Sequence, residues 1–289
     1  NYTDVKTATF QVGPADLQDI SDTRLFTVTV DDSALVYTGS ECKPAVTVTR
    51  VADNTALVAG TDYDVAIENG VNAGTDTATV AITGKDQYTG VVTQSYSIAK
   101  APLADVLVGT LVNGVYNGAA HTPEPSVSYN AIALEAGTDF TYEYMVNGEA
   151  VSPVNAGDYE LVLTATAKSN FTGTKTAYYG IDPMPITDAV PRVSDVTYKS
   201  GEMQPTSIVT RSLVIDGLKL VEGDDYTVAF TNVGGGEVSL LTGDAGHYVY
   251  QAVFTGKGNY TGTATVSFAV NVTDASEETP VRLDHVVVT

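Results

Sequence analysis

Residues 256–262 read GKGNYTG, and two relatives of this heptad lie upstream, GKDQYTG at residues 84–90 and AKSNFTG at residues 167–173. The heptads lie between runs in which apolar and polar residues alternate, for example YVYQAVFT before the third and TATVSFAV after it. Alternation with a period of two is typical of strands that bury one face, and Gly and Asn accept the positive φ that tight turns require. The pattern therefore predicts that each heptad is the loop of a β-hairpin.

A Gly-Lys-Gly sequence also raises the question of phosphate binding. A phosphate loop needs Ser or Thr directly after its Lys, and a following helix whose N-terminal amides face the anion. Lys257 is followed by Gly258 and Asn259, and the next residues alternate as a strand does. The sequence therefore favours a structural turn over a nucleotide site.

The heptad is one of several landmarks that recur in the same order three times, with a period of about 80 residues. A Tyr opens YTGSECKP, YNGAAHTP and YKSGEMQP, a Leu opens LVAGTDY, LEAGTDF and LVEGDDY, and NAG occurs twice with DAG in the third copy. The aromatic landmark residues are Tyr63, Phe140 and Tyr226 in the Leu motif and Tyr88, Phe171 and Tyr260 in the heptad. Since each copy must bury its own face, we predict that the heptad rings are core residues rather than sugar-stacking platforms.

Short alternating runs separated by Gly, Asn, Asp and Pro predict an all-β chain, organised as a tandem array of three small antiparallel β-sandwich domains in an elongated arrangement. The predicted divisions are residues 1–20 (the last strand of a preceding repeat plus a linker), 21–99 (repeat 1), 100–183 (repeat 2), 184–271 (repeat 3) and 272–289 (a linker or the first strand of a further repeat). The first division rests on the likeness of NYTDVKTATFQV at residues 1–12 to NYTGTATVSFAV at residues 259–270.

Composition limits the classes of partner. The chain has 289 residues, of which 35 are acidic and 14 basic, and its formal charge of −21 repels nucleic acid and anionic membrane surfaces alike. Its single cysteine, Cys42, cannot form an intrachain disulfide. We find no apolar run long enough to span a bilayer, no signal peptide and no C-terminal anchor, so we expect an exported protein to carry these outside this fragment.

The segments GTDY, NAGTDTATVAITGK, GNYTG and NYTDVKTATFQVGPADL resemble the tandem Ig-like repeats of large secreted or wall-attached surface proteins of Gram-positive bacteria. The resemblance covers nearly all of the chain and is weaker in the second copy, where YMVNGEAVSPVNAG inserts extra residues. It implies that the three repeats are Ig-like domains of an adhesin-type segment on the extracellular side of the bacterial cell surface. The family offers no catalytic residues to transfer.

The residues themselves also argue against an enzyme. The histidines, His121, His247 and His285, occur singly, and Cys42 has no His or Asn in its neighbourhood, so neither zinc binding nor a catalytic thiol is indicated. Acidic pairs such as Asp62 with Asp64, and Asp224 with Asp225, recur with the repeat, whereas a general acid and base occur once in a unique cleft. We therefore expect no catalytic residues and no cofactor.

Two alternatives concern the stiffness of the array. Calcium could bind at acidic joints between repeats, although no Asp-x-Asp-x-Asp loop occurs. The candidate ligands are Asp105, Asp182, Asp188, Asp195 and Asp274. Lys–Asn isopeptide crosslinks could substitute for the missing disulfides, with Lys43, Lys85, Lys175 and Lys199 as candidates.

We expect a non-catalytic stalk or adhesion segment that holds a distal binding region away from the cell. The alternative is a module that binds carbohydrate or a host protein through loops or sheet edges of the same repeats. Its partners would then be a host or cell-surface protein or a glycan, with no nucleic acid and no membrane contact by this segment. We expect the segment to be a monomer.

Overall fold

The computed structural model describes residues 17–275, and the prediction of an all-β fold is confirmed. The only helical elements in this part of the chain are two single 3₁₀ turns, Leu103–Asp105 and Thr206–Ile208. The regions 1–16 and 276–289 lie outside the described residues, so the predicted strand at residues 1–12 is not described. The strands fall into three successive series along the chain.

The first series holds β1 (Gln18–Asp19), β2 (Phe26–Asp31), β3 (Ala45–Arg50), β4 (Tyr63–Glu68), β5 (Gly74–Gly84), β6 (Tyr88–Thr89) and β7 (Val91–Ile98). The second holds β8 (Ala101–Pro102), β9 (Leu107–Val108), β10 (Gly114–Val115), β11 (Val127–Tyr129), β12 (Ile132–Ala133), β13 (Phe140–Val146), β14 (Glu149–Ala150), β15 (Gly157–Ala165), β16 (Phe171–Thr172) and β17 (Thr174–Asp182). The third holds β18 (Met184–Pro185), β19 (Val190–Val193), β20 (Val196–Lys199), β21 (Gln204–Pro205), β22 (Arg211–Ile215), β23 (Leu218–Lys219), β24 (Tyr226–Asn232), β25 (Leu240–Leu241), β26 (Gly246–Gly256), β27 (Tyr260–Thr261) and β28 (Thr263–Thr273).

Each series forms a larger and a smaller sheet. The larger sheets have the strand orders β4-β5-β7, β10-β17-β15-β13-β14 and β20-β28-β26-β24. The smaller sheets have the orders β2-β3, β9-β11-β12 and β19-β22-β23. The larger sheet of the first series is antiparallel, since β5 pairs antiparallel with both β4 and β7. In the third series β26 pairs antiparallel with both β24 and β28.

A parallel connection in each series joins an early segment to the last strand or to the residue just after it. β10 pairs with β17, β20 pairs with β28, and in the first series a single bridge joins Val36 to Ala99 just after β7. A second short parallel pairing joins the start of each series to its heptad, as β1 with β6, β8 with β16 and β18 with β27. Residues 18–19, which lie in the predicted linker 1–20, therefore pair with the first repeat.

By internal contacts the described residues divide into two compact units. One comprises residues 17–111, 124–143 and 161–177, and the other comprises residues 112–123, 144–160 and 178–275. The boundary between them passes through the second strand series. The division of the chain into three domains thus stays a prediction.

The buried faces follow the alternation in the sequence. Ala78, Val80 and Ile82 of β5 are fully buried, as the period of two predicts. In the third series a single hydrophobic cluster combines Leu213 of the smaller sheet with Phe254 and Val270 of the larger sheet. Burial of facing side chains from both sheets is the arrangement of a β-sandwich.

The heptads connect antiparallel strands as predicted. In the third copy the N–H of Gly256 donates to the C=O of Gly262 at 2.9 Å, and in the first copy Gly84 bonds Gly90 in the same way. The second copy differs, because there the equivalent bond joins Ala165 to Gly173 at 3.0 Å. Its turn is two residues longer than AKSNFTG suggests, so Ala167 does not occupy the position of the other two glycines.

This difference explains why the first heptad position is Gly in two copies. A Cβ on Gly256 would lie 2.6 Å from the backbone nitrogen of Thr261 and 2.8 Å from the carbonyl carbon of Tyr260. A Cβ on Gly84 would meet the backbone nitrogen of Thr89 at 2.7 Å. In the short turn the opposing backbone leaves no space for a side chain.

We expect Gly256→Ala to destabilise the third series by about 1–3 kcal/mol, the usual cost of forcing extra atoms into a packed site. Gly234→Ala is the matched control, since a Cβ there meets no atom within 4 Å. Urea denaturation followed by circular dichroism measures both. Equal stability of the two variants would show that the turn relaxes freely.

Candidate functional site

The heptad of the second series contacts two landmarks of the first series. The side-chain Oδ1 of Asn170 accepts the N–H of Ala73 at 2.8 Å, and its Nδ2 donates to Oδ1 of Asn72 at 3.2 Å. Beside it the ring of Phe171, only 1% exposed, lies edge-on to Tyr37 with the ring centroids 5.4 Å apart. We call this set the first joint, and all of it lies within the first compact unit.

The same contacts recur one repeat later. Oδ1 of Asn259 accepts the N–H of Ala156 at 2.8 Å, and its Nδ2 donates to Oδ1 of Asn155 at 3.1 Å. The ring of Tyr260 lies edge-on to Tyr116 at 5.4 Å. Burial, together with the neighbouring Tyr116, raises the pKa of Tyr260 to about 12. We call this set the second joint, and it lies within the second unit.

The two joints give one role to three of the sequence landmarks: the Tyr motif, the Asn-Ala-Gly segment and the heptad all connect one copy to the next. The Asn-Ala-Gly segment lies where the last strand of a series ends, since Gly74 is opposite Ile98 in the register of β5 with β7. The heptad lies at the opposite end of the next series, before its last strand begins. Sequence comparison identified both motifs but did not predict that the Asn of one copy binds the Asn-Ala-Gly of another, because that contact joins distant residues.

The first heptad differs from the other two. Tyr88 is only half-buried, although we expected a buried ring. It packs edge-on against Phe26 at 5.8 Å, and its hydroxyl accepts a hydrogen bond from the Arg50 guanidinium at 2.8 Å. Within residues 17–275, no Tyr from an earlier copy covers it as Tyr37 covers Phe171.

The recurring acidic pairs have a structural role. In each Leu motif the Asp before the aromatic residue accepts the backbone N–H four positions earlier: Asp62 from Val58, Asp139 from Glu135 and Asp225 from Val221, at 2.7, 2.9 and 2.8 Å. The Gly within this turn has φ of 81°, 85° and 94° in the three copies, which favours glycine. The aromatic residues that follow, Tyr63, Phe140 and Tyr226, are at most 2% exposed. These carboxylates thus shape a turn that positions a core ring.

The five candidate calcium ligands do not form a cluster. Among residues 17–275 no group of three or more His, Cys, Asp or Glu side chains is placed to hold a metal ion. Four of the five candidates are exposed, at element ends or in turns: Asp105, Asp182, Asp188 and Asp274. The fifth, Asp195, accepts the backbone N–H of Ala269 in β28 at 2.7 Å.

The contact of Asp195 belongs to a further recurring set that the sequence comparison missed. Asp32 accepts the N–H of Ser97 at 2.6 Å in the first series, and Asn113 accepts that of Gly180 at 3.0 Å in the second. Each acceptor holds the middle residue of the aromatic-x-aliphatic end of the last strand. The acceptor is Asp in two copies and Asn in the other, and its separation from the following landmark Tyr also varies. The sequence therefore does not reveal that Asp32, Asn113 and Asp195 are equivalent.

The remaining candidates lie apart from one another. Cys42 is buried, with its Sγ 3.4 Å from the C=O of Val36. His121 and His247 contact the side chains of Asn117 and Asn271, and His285 lies outside the described residues. Of the four lysines, Lys43 and Lys85 pair with carboxylates, Lys175 donates to the C=O of Ala104, and Lys199 lies at the exposed end of β20. Apart from Cys42 and Lys43, which are neighbours in the chain, none of these contacts joins two of the candidates.

Comparison with known proteins identified no matching family model and no matching curated protein. Solved structures similar to this chain include protocadherin gamma B2 extracellular cadherin domains 1–5, with 10% identity, 83% of this chain and 57% of that chain covered, and a TM-score of 0.29. They also include the Escherichia coli adhesin FdeC, with 14% identity, 91% of this chain and 99% of that chain covered, and a TM-score of 0.26. Domains 1–6 of the surface layer protein SbsC match at 16% identity, with 86% of this chain and 40% of that chain covered and a TM-score of 0.26.

Scores at this level carry no argument about what the chain does, and the fold rests on the strands and pairings described above. The chain spans a little over half of the protocadherin fragment. No helix within residues 17–275 is long and apolar enough to cross a membrane.

Proposed function

We propose that this chain is a non-catalytic stalk or adhesion segment of a bacterial cell-surface protein, built from three Ig-like repeats that carry a distal binding region. The observation that supports it most is the parallel pairing between an early segment and the last strand in the second and third series, with a single parallel bridge just after the last strand of the first. A pull on the two ends of a repeat loads such a pair in shear, so its hydrogen bonds resist together rather than one after another. A segment that transmits load between a cell and a distal ligand needs this property.

The two joints support the same proposal. Each combines a bidentate Asn contact with a buried aromatic pair, and both use residues that recur with the repeat. A specific contact between consecutive copies limits bending at their junction. The finer placement, on the surface of a Gram-positive bacterium, rests on the sequence resemblance alone.

Pulling a single molecule by its two ends tests the proposal. We expect three separate unfolding events, because each repeat holds its own sheets and its own shear pair. Each event should release about 80 residues, which adds about 250 Å of chain after subtraction of the folded length. Smooth extension at low force, or a single event, would contradict a load-bearing array of three repeats.

A further inference from the structure

One strand edge in the first series is left unpaired. β4 is the end strand of the sheet β4-β5-β7, and within residues 17–275 no strand or isolated bridge pairs with the outer side of Val65 or Ile67. The N–H of Lys85 donates to the C=O of Asp62 at 2.9 Å, which fixes the residues of this strand that bond β5. Because antiparallel ladders alternate, the N–H and C=O of Val65 and Ile67 face the outer edge.

The equivalent edges of the other two series are covered by the chain itself. In the second series β14 pairs with β13, and the N–H of Val151 donates to the C=O of Tyr144 at 2.9 Å. In the third series the N–H of Val238 donates to the C=O of Phe230, also at 2.9 Å. Both acceptors stand four residues after the landmark aromatic residue, as Ile67 does in the first series. Ile67 thus has the position of an acceptor, and among residues 17–275 no N–H takes the place of the donor that its counterparts have.

The length of one connection explains the difference. The chain between β4 and β5 consists of residues 69–73, whereas the corresponding connections, residues 147–156 and 233–245, are long enough to fold back along the edge. Within residues 17–275 the first series therefore has no covering segment. The edge that the segment would cover is intact.

A groove runs beside this edge, between β3 and β4. Pro44, Val46, Val65 and Ile67 contribute its apolar walls, and Val65 is 40% exposed. The hydroxyl of Tyr63 donates to the C=O of Val46 at 3.3 Å across the groove. In the third series the matching groove is lined by Val228, Phe230 and the chain's own Val238.

We propose that the outer edge of β4 binds an extended segment of a partner protein, which adds to the sheet as an antiparallel strand in the place of the missing covering segment. Main-chain hydrogen bonds to Val65 and Ile67 supply affinity, and the groove selects a β-branched apolar residue, as Val238 of the covering segment lines the matching groove. This binding surface goes beyond the stalk function and does not depend on it.

Charge decides between a second copy of this chain and a different partner. Glu41, Asp64 and Glu68 lie on or beside the edge, and the nearby Lys43 and Lys85 are already paired with Glu41 and Asp64. With a net charge of −21, a second copy would meet like charge here. The partner strand that fits carries basic residues next to its apolar one.

Peptide binding to the full chain tests the proposal. The probes are a synthetic peptide of residues 236–241 (GEVSLL), which covers the matching edge in the third series, and the same peptide with Glu237→Lys. At a peptide concentration ten times the Kd, exchange of the Val65 and Ile67 amide protons should slow about tenfold by NMR. The Lys peptide should bind up to about fivefold more tightly at low salt and lose this advantage at high salt.

Two variants locate the binding. Val65→Pro removes an outward-facing N–H, which edge strands tolerate, and should abolish protection, whereas Val228→Pro at the same position of the third series should leave it unchanged. If Val65→Pro unfolds the first series, Val65→Asp is the second variant, since it keeps the N–H and places a negative charge in the groove. It should weaken binding of the acidic GEVSLL peptide by about fivefold or more. Absence of protection at millimolar peptide, binding that survives both variants, or a dimer of the free chain that occupies β4 would overturn the proposal.

Discussion

Phe171→Ala should lower the free energy of unfolding of the second series by about 3–5 kcal/mol, the range measured for large aromatic residues truncated in packed cores. The side chain is 1% exposed and lies edge-on to two rings, those of Tyr37 at 5.4 Å and Tyr129 at 5.3 Å. Its removal leaves a cavity, and the pairing of Phe171 with Ala101 holds the backbone beside that cavity in place. The substitution also breaks the aromatic contact of the first joint.

Tyr178→Ala is the matched control for this prediction. Tyr178 lies in the neighbouring strand β17 and is 70% exposed, so its truncation should change stability by a few tenths of a kcal/mol. Because three repeats need not unfold together, native-state hydrogen exchange read by mass spectrometry suits the measurement better than a single melting curve. We expect faster exchange in the second series and little change in β26 and β28. A loss below 1 kcal/mol would show that the heptad ring is a surface group.

The alternation of side chains allowed the strands and their buried faces to be predicted. Tyr250, Ala252 and Phe254 of β26 are buried, as a period of two requires, and their neighbours are more exposed. This prediction succeeds because the side-chain direction in a strand depends on local geometry alone. The same holds for the heptads, whose loops join strands that are adjacent in sequence.

The contacts that give the candidate site its character could not be predicted in this way. The side chain of Asn170 meets Ala73 nearly a hundred residues away, and pairing at that separation leaves no period in the sequence. The extra turn length of the second heptad is hidden because Ala167 and Lys168 reproduce the letters of the pattern. The free edge of β4 reflects the absence of a covering segment within residues 17–275, which becomes visible only when the three series are compared in structure.

Small-angle scattering of the monomer in dilute buffer tests the proposed array most directly. A compact fold of this length has a radius of gyration of about 19 Å by the scaling for globular domains. Strands of eight to ten residues, with the turns at their ends included, give each sandwich a length of about 35–40 Å, so three in line measure about 110 Å. The radius of gyration of a thin rod is its length divided by √12, here about 32 Å.

We expect a value close to 32 Å, reduced somewhat by bending at the joints. Added salt should lower it further, since it screens the repulsion within a chain of charge −21. A monomer value near 20 Å would mean that the repeats fold back on one another or share one core, and it would contradict the stalk.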